Sequence, residues 1–386
     1  MRPHIPGTGT EAPTTGPEAS ATGTEPPTTG TEASATGTDT SPVRASAPPT
    51  TDEAAALPFL SADTVLTAIR THTDADNSSA FLALNEEAEH FTSPQADGMV
   101  VFRRCGGYAV QFGGPFAPRR DYRTLLHAFL RYADRSGLTP VAVQLQRHDA
   151  EIYADCGYTV NQVGASYTVG LAAFTLRGTR FMQLRNKIAR ARRAGLAVTE
   201  TDAATCRAAL RDIDAAWLAS KGEHARPLEF LVGRTDGRGQ AYRRLFLGTI
   251  DGRPIGYISY SPVPGSRPGW LHDLSRRVPD GPPGVMEAVN STAIDTFRTE
   301  GARWLHFGFT PFTGLHEAHE VPGHSRGLQW FLHHLEEYGE AVYTARTQLA
   351  YKRKWAPDVI LPEYAAFRGS PSLAAFAHIF RAANAF

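Results

Sequence analysis

The segment HDLSRR puts Asp273, Arg276 and Arg277 within a few residues of one another, and Glu287 follows in the first turn of the next apparent helix. A carboxylate can hold an ammonium, and neighbouring guanidiniums can grip a phosphate through two parallel hydrogen bonds. The group therefore suits a charged amino acid beside a ribose or phosphate; a salt-bridged strand end is the plainer reading. A second concentration of charge lies upstream. Between Cys156 and Thr199 there is no acidic residue, but Arg177, Arg180, Arg185, Lys187, Arg190, Arg192 and Arg193 all occur there. On a helix these cations spread over more than one face, while Phe181, Leu184 and Ile188 form an apolar stripe. One side would pack and the rest would meet phosphate, from tRNA or from anionic lipid headgroups, or else be a solvated linker helix.

Other chemistries find little support. His316, His319 and His324 cluster in LHEAHEVPGH, but HEAHE is not the His-Glu-x-x-His zinc pattern, so no metal is expected. There is no Gly-x-Ser-x-Gly elbow, and Cys105, Cys156 and Cys206 are scattered without metal-ligand or disulfide spacing. The loop VPDGPPGV occupies the place where an acetyl-CoA enzyme of related fold carries its pyrophosphate loop. Such a loop needs consecutive backbone N–H donors, and Pro279, Pro282 and Pro283 remove three. No cofactor is expected.

The elements that would position these residues come in two similar runs. Residues 1–56 are Thr, Gly, Pro, Ala, Ser and Glu in near-repeats, too poor in apolar side chains to offset chain ordering, and read as a disordered leader. Ser61 caps a helix bearing Val65, Leu66 and Ile69. FLALN, GMVVFRR and GYAVQFGGP read as strands, 122–132 as a helix, VAVQLQ as a strand, HDAEIYADCG as a short helix and YTVNQVGASYTVGL as a strand. After the basic stretch come a helix over 203–219 and strands LFLGTI and PIGYISYSPV about Asp251-Gly252. GWLHDL, the helix VMEAVNSTAIDTFRTEG, the strand RWLHFGF and a helix near 328–337 follow. The C-terminal SLAAFAHIFRAANAF is amphipathic, with Leu373, Phe376, Ala377 and Phe380 on the face expected to pack.

Composition bounds the partners. Lys plus Arg and Asp plus Glu number 39 each, so any attraction to polyanions must be local. With no apolar leader segment and no long apolar run, the chain reads as cytoplasmic, with the inner membrane face as a peripheral alternative.

LRNKIARARRAGLAV, AAWLASK, LEFLVGRTD, HDLSRRVPDGPPGVMEAVNSTAI, GARWLHFGFTPFTGL and LAYKRKWAPDVILPEY, in this order, resemble the soluble aminoacyl-transfer region of lysyl-phosphatidylglycerol synthases. The resemblance implies an α+β fold of two tandem acetyltransferase-like (GNAT-type) domains joined by a basic helix, over 57–176, 177–200 and 201–386. It also implies an aminoacyl-tRNA-dependent aminoacyltransferase. An aminoacyl ester is already activated, so orientation and charge stabilisation suffice without a covalent nucleophile. By the same resemblance Asp273, Glu287 and Arg276 are catalytic, and Arg234, Asp236, Arg277, Lys352 and Lys354 bind substrate. Asp273 or Glu287 would hold the α-ammonium, Arg276 and Lys352 would face phosphate, and Arg185, Lys187, Arg190, Arg192 and Arg193 would carry the tRNA. A small soluble acceptor is the first expectation, in antibiotic or other specialised metabolism. Phosphatidylglycerol is the second, and a non-catalytic tRNA- or lipid-binding module is the alternative of another class.

Overall fold

The structure, a computed structural model, describes residues 60–73, 77–222, 225–338 and 345–385. The segment read as a disordered leader lies outside them. Among the described residues eleven strands form one mixed sheet, ordered β1-β2-β3-β4-β11-β5-β10-β9-β8-β7-β6. In chain order these are β1 (Glu89–Ser93), β2 (Ala96–Cys105), β3 (Tyr108–Phe112), β4 (Thr139–Leu145), β5 (Tyr158–Gly170) and β6 (Ala197–Thr201). Then come β7 (Arg244–Ile250), β8 (Arg253–Val263), β9 (Gly269–Arg277), β10 (Trp304–Pro311) and β11 (Val359–Arg368). The helices are α1 (Ala62–His72), α2 (Arg119–Arg135), α3 (Arg147–Asp155), α4 (Met182–Arg193), α5 (Arg207–Ala219) and α6 (Val285–Thr299). They end with α7 (Arg326–Tyr338), α8 (Ala345–Arg353) and α9 (Leu373–Ala382).

Local rules account for most of these. The Ser61 hydroxyl accepts from the backbone N–H of Thr64 and starts α1, whose Val65, Leu66 and Ile69 are buried. Asp251 and Gly252, both at positive φ, turn β7 into β8. On α4, Leu184, Ile188 and Ala191 are buried with Phe181 just ahead of them, and the arginines between are exposed.

FLALN is not a strand. Residues Ala80–Leu84 form a 3-10 turn and all five are buried. A short run buried on every side has no alternation to mark it as strand or helix. The C-terminal face is also rotated from expectation. Leu373 is 80 % exposed at the first turn of α9, while Ala375 and Ala382 are buried and Phe376, Ile379 and Phe380 pack on the core.

The sheet runs unbroken past residues 177–200, where α4 and β6 lie, and the late strand β11 inserts between β4 and β5. β11 pairs with β5 from Val359 to Arg368 and with β4 through Tyr364, Ala366 and Phe367. Two large apolar clusters cover the sheet. One joins α4, α5 and α6 to β7–β10; the other joins α1, α7 and α9 to β2, β3, β4 and β11.

Candidate active site

The site begins where two neighbouring strands part. β9 and β10 run parallel and pair at Trp304 with Gly269, Leu305 with Trp270 and His306 with Leu271, and no further. Both strands bulge at that level. β8 pairs Ser259 with Leu274 and Tyr260 with His272, leaving Asp273 as the extra residue of β9. On β10, His306 pairs with Thr168 and Gly308 with Tyr167, leaving Phe307 extra. A bulge re-aims side chains and ends pairing, so the parting is built into the register.

A cavity of about 610 Å³ opens there. Trp217 of α5, Met286 of α6, Phe307 of β10 and Tyr351 of α8 line one wall. Leu231, Phe309, Phe312, Phe376, Ile379 and Phe380 line another, drawn from the second apolar cluster. The cavity thus lies where the two cores meet. Backbone strain gathers around it: Gln144 and Phe312 on its lining, and Phe230 beside it, have φ of 54°, 56° and 56°. Non-glycine residues in this region cost energy and concentrate at functional sites.

Asp273 lies on the cavity lining with its side chain 2 % exposed. The Arg243 Nε donates to its Oδ2 at 3.3 Å, and Arg243 also donates to Asn85 Oδ1 and lies 5.0 Å from the centre of the Phe81 ring. Burial pushes the Asp273 carboxyl above its ordinary range, against the pull of Arg243 and Ser261. Gly233 passes directly over it; a β-carbon there would fall 2.2 Å from the carboxyl carbon. The neighbouring His272 is neutral, since burial lowers it to about 3.

A basic corner adjoins this carboxylate. The Arg276 Nη1 pairs with Asp214 at 3.1 Å, its guanidinium lies 4.9 Å from the Trp217 ring centre, and its buried Nε has no partner. Lys221 lies over the same indole at 5.1 Å, and Arg277 also lines the cavity. The Arg277 Nη1 reaches back to the carbonyls of Val278, Pro279 and Gly281. The proline-rich loop therefore turns carbonyls, not N–H donors, towards Arg277, while its Asp280 pairs with Arg253 at 3.5 Å.

The α6 N-terminus is covered as well. Gly284, at φ 93°, sits against α4 so closely that a β-carbon would lie 2.1 Å from the Lys187 carbonyl oxygen. Glu287 in the first turn takes Lys354 Nζ at 2.9 Å and Lys187 Nζ at 3.6 Å. Burial acts to raise the Glu287 pKa, but the Lys354 hydrogen bond and the charges of Lys354 and Lys187 outweigh it and the carboxyl is held low. An acyl-carrier pyrophosphate at this helix end would meet a carboxylate and a backbone carbonyl.

Of the residues singled out in the sequence, the structure brings Asp273, Arg276, Arg277 and Lys352 to one cavity. The Lys352 ammonium does not face solvent: it donates to the carbonyls of Gly308 and Phe309 at 2.8 and 2.9 Å. Glu287 and Lys354 pair with each other outside the lining residues. Arg234 bonds Glu87 and, at 2.8 Å, Asp236, fastening the loop that crosses Asp273. On α4, Arg185 is engaged by the carbonyls of Leu176 and Gly178, whereas Arg190, Arg192 and Arg193 are exposed and unpaired among the described residues. No group of three His, Cys, Asp or Glu among the described residues could hold a metal. Sequence reasoning passed over Arg243, Trp217, Lys221, Tyr351 and Glu363. Trp217, Lys221, Tyr351 and Glu363 stood in the quoted motifs without being singled out; nothing local marked Arg243 as the partner of Asp273.

Residues 67–367 match the family described as Phosphatidylglycerol lysyltransferase, C-terminal. The chain belongs to this family. It is 27 % identical over 304 residues to the lysylphosphatidylglycerol biosynthesis bifunctional protein LysX of Nocardia farcinica, covering 76 % of this chain and 26 % of that protein. It is 23 % identical over 301 residues to the phosphatidylglycerol lysyltransferase of Bacillus subtilis, covering 77 % of this chain and 34 % of that protein. The chain thus spans about a quarter to a third of the length of these relatives. Two solved structures share the fold. The C-terminal domain of a putative lysylphosphatidylglycerol synthetase from Agrobacterium fabrum has a TM-score of 0.67 at 20 % identity, over 84 % of this chain and 95 % of that one. L-PGS from Bacillus licheniformis gives 0.66 at 20 %, over 82 % and 94 %. Among the described residues no helix is long and apolar enough to cross a membrane.

Proposed function

We propose that this chain transfers an aminoacyl group from an aminoacyl-tRNA to a hydroxyl of phosphatidylglycerol. The observation that carries the reading is the cavity at the β9–β10 parting, which joins a buried carboxylate and a basic corner to an apolar wall. In this reading Asp273 holds the α-ammonium of the donor, since it lines the cavity and Glu287 does not. Arg276, with an unpaired buried Nε, and Arg277 meet a phosphate near the tRNA 3′ end. The exposed Arg190, Arg192 and Arg193 meet phosphates further along the acceptor stem. The acceptor oxygen attacks the ester carbonyl carbon, the ribose oxygen leaves, and the proton of the acceptor hydroxyl passes to that leaving oxygen. The β9 edge beyond Leu271, free of β10, supplies backbone donors for the developing oxyanion.

The sequence alone put a small soluble acceptor first. The apolar wall of Leu231, Phe312, Phe376, Ile379 and Phe380, together with the relatives' names, favours the lipid instead. The test is purified protein with a mixture of charged tRNAs and vesicles of phosphatidylglycerol or of phosphatidylcholine, followed by lipid extraction and mass analysis. New aminoacyl-lipid only with phosphatidylglycerol, and its loss after ribonuclease treatment, is the expected result. No aminoacyl-lipid in either arm would refute the acceptor assignment.

A further inference from the structure

Beside the basic corner, α5 turns one more group of side chains to the cavity. On β8, Tyr257 and Ser261 share a face, since residues two and four apart in a strand do. The Tyr257 hydroxyl donates to Asp214 of α5 at 2.6 Å, Arg276 pairs opposite Tyr257, and Ser261 acts on the Asp273 carboxyl. Asp273 and Arg276 therefore both lie on the side of the sheet that α5 covers. Asp214 and Trp217 stand three apart on α5, and Lys221 follows four later, just past its last turn, so these three share one face. Asp214 pins the Arg276 guanidinium 4.9 Å from the centre of the Trp217 indole, and the buried Arg276 Nε still has no acceptor. Lys221 lies over the same indole at 5.1 Å, but it is exposed and its ammonium has no ion pair among the described residues. An aromatic face between a fixed guanidinium with a free donor and a movable ammonium suits a nucleotide, whose base can stack on the ring while its phosphate takes the cations.

We propose that α5 and β9 form a nucleotide subsite in which the Trp217 indole stacks on the terminal base of the donor RNA, while Arg276 Nε and Lys221 hold that nucleotide's 5′ phosphate. The proposal rests on the aminoacyl-transfer reading above and adds to it the ring that receives the base. The spacing fits. Asp273 and Arg276 lie three residues apart on a bulged strand, roughly 7–10 Å. An aminoacyl nucleotide reaches up to about 10 Å from its amine nitrogen, through the ester, to its 5′ phosphorus. With the amine at Asp273 and the phosphate at Arg276, the ester carbonyl lies between them along the β9 edge that β10 leaves free. Lys221 gives up the indole as the base arrives and turns to the phosphate; Arg276, held by Asp214, stays in place. Stacking accepts any base, so the subsite registers that a ring is present and not which one it is.

The experiment separates base from phosphate. Adenosine 5′-monophosphate (AMP) and ribose 5-phosphate, which has the same phosphate and no base, are each offered to the full chain in equilibrium dialysis. AMP should bind at least about fivefold more tightly. Trp217→Leu should bring AMP down to the level of ribose 5-phosphate, and Trp217→Phe should keep most of the difference. Lys221→Ala, at an exposed position, should weaken both ligands alike; a loss confined to AMP would overturn its assignment to the phosphate. AMP should also quench the tryptophan emission of the wild type but not that of Trp217→Phe, which still binds it. Equal affinity for AMP and ribose 5-phosphate in the wild type would overturn the proposal, as would a preference for AMP that survives in soluble Trp217→Leu. The wild-type comparison needs no variant, so a misfolded substitution cannot shelter the proposal. Aminoacyl-lipid formed by a chain without the preference would sink the nucleotide subsite and leave transfer standing; the preference without any aminoacyl-lipid would do the reverse.

Discussion

Replacing Gly284 with alanine tests the contact that seats the basic helix. Gly284 precedes α6 at φ 93°, and an added β-carbon would lie 2.1 Å from the Lys187 carbonyl oxygen and 2.5 Å from its carbon. The φ alone costs an L-residue roughly 1–2 kcal/mol. The clash is with backbone, so it is relieved only by moving α4 by about 1 Å, and α4 is anchored in the core by Leu184, Ile188 and Ala191. Overpacking of that kind costs roughly 1–3 kcal/mol. Together Gly284→Ala should destabilise by about 2–5 kcal/mol, a fall in the melting midpoint of roughly 4–8 °C for a chain of this size. Gly252→Ala is the control, because it has a similar φ of 78° and nothing within 4 Å of the added carbon; it should lose only about 2 °C. Thermal unfolding of both, followed by circular dichroism, isolates the α4–α6 contact as the difference between them. Surviving Gly284→Ala protein should also bind tRNA more weakly, since Lys187 and its neighbours move with the helix. A difference between the two variants of less than 1 °C would refute the account of how α4 is held.

Three further outcomes are expected. Asp273→Asn keeps an oxygen for Arg243 and removes a charge that burial already disfavours, so transfer should fall by at least about tenfold while the melting midpoint moves by less than about 3 °C; an unchanged rate would remove Asp273 from the site. Arg190→Ala combined with Arg193→Ala should lower the slope of log affinity for tRNA against log salt by about 2, measured by filter binding, and an unaltered slope would place the acceptor stem elsewhere. Glu363→Gln carries a pH signature. Burial raises Glu363 from 4.5 to about 7, so between those values the unfolded chain sheds a proton that the folded chain keeps. Stability from this group falls as pH rises through the window, and its cost is complete above 7. The variant should therefore gain about 1–3 kcal/mol on the wild type between pH 5 and pH 7 in denaturant melts, and a gap that is flat or narrows with pH would refute the assignment.

What could be read from the residues was what neighbouring residues decide. The hairpin at Asp251-Gly252, the helix after Ser61 and the nearness of Asp273 to Arg276 all follow from contacts a few positions apart. The apolar stripe of α4 was legible for the same reason. FLALN was misread because the five apolar residues Ala80–Leu84 have no period, and only their burial in the fold decides between strand and turn. Insertion of β11 between β4 and β5 was illegible because it joins segments far apart in the chain, and nothing in VILPEY names its neighbours. The partners of the functional groups were hidden likewise. Arg243 lies thirty residues before Asp273, and the carbonyls that hold Lys352 lie over forty before it.

These hidden partners change what the visible charges mean. Asp273, Glu287, Arg234, Asp236 and Lys354 are alike as letters, yet only Asp273 reaches the cavity; the rest fasten elements to one another. The same division explains where an anion can bind. A helix N-terminus ordinarily attracts phosphate through its free N–H groups. At α6 that position is shut by the Lys187 carbonyl and Glu287, and the loop before it turns its carbonyls to Arg277. With that end closed, the cations open to a phosphate include Lys221, Arg276 and Arg277 at the cavity and Arg190, Arg192 and Arg193 on α4. The closed helix end rests on one contact, the seating of Gly284 against Lys187, and under the proposed function phosphate recognition falls to side chains rather than to a backbone cradle.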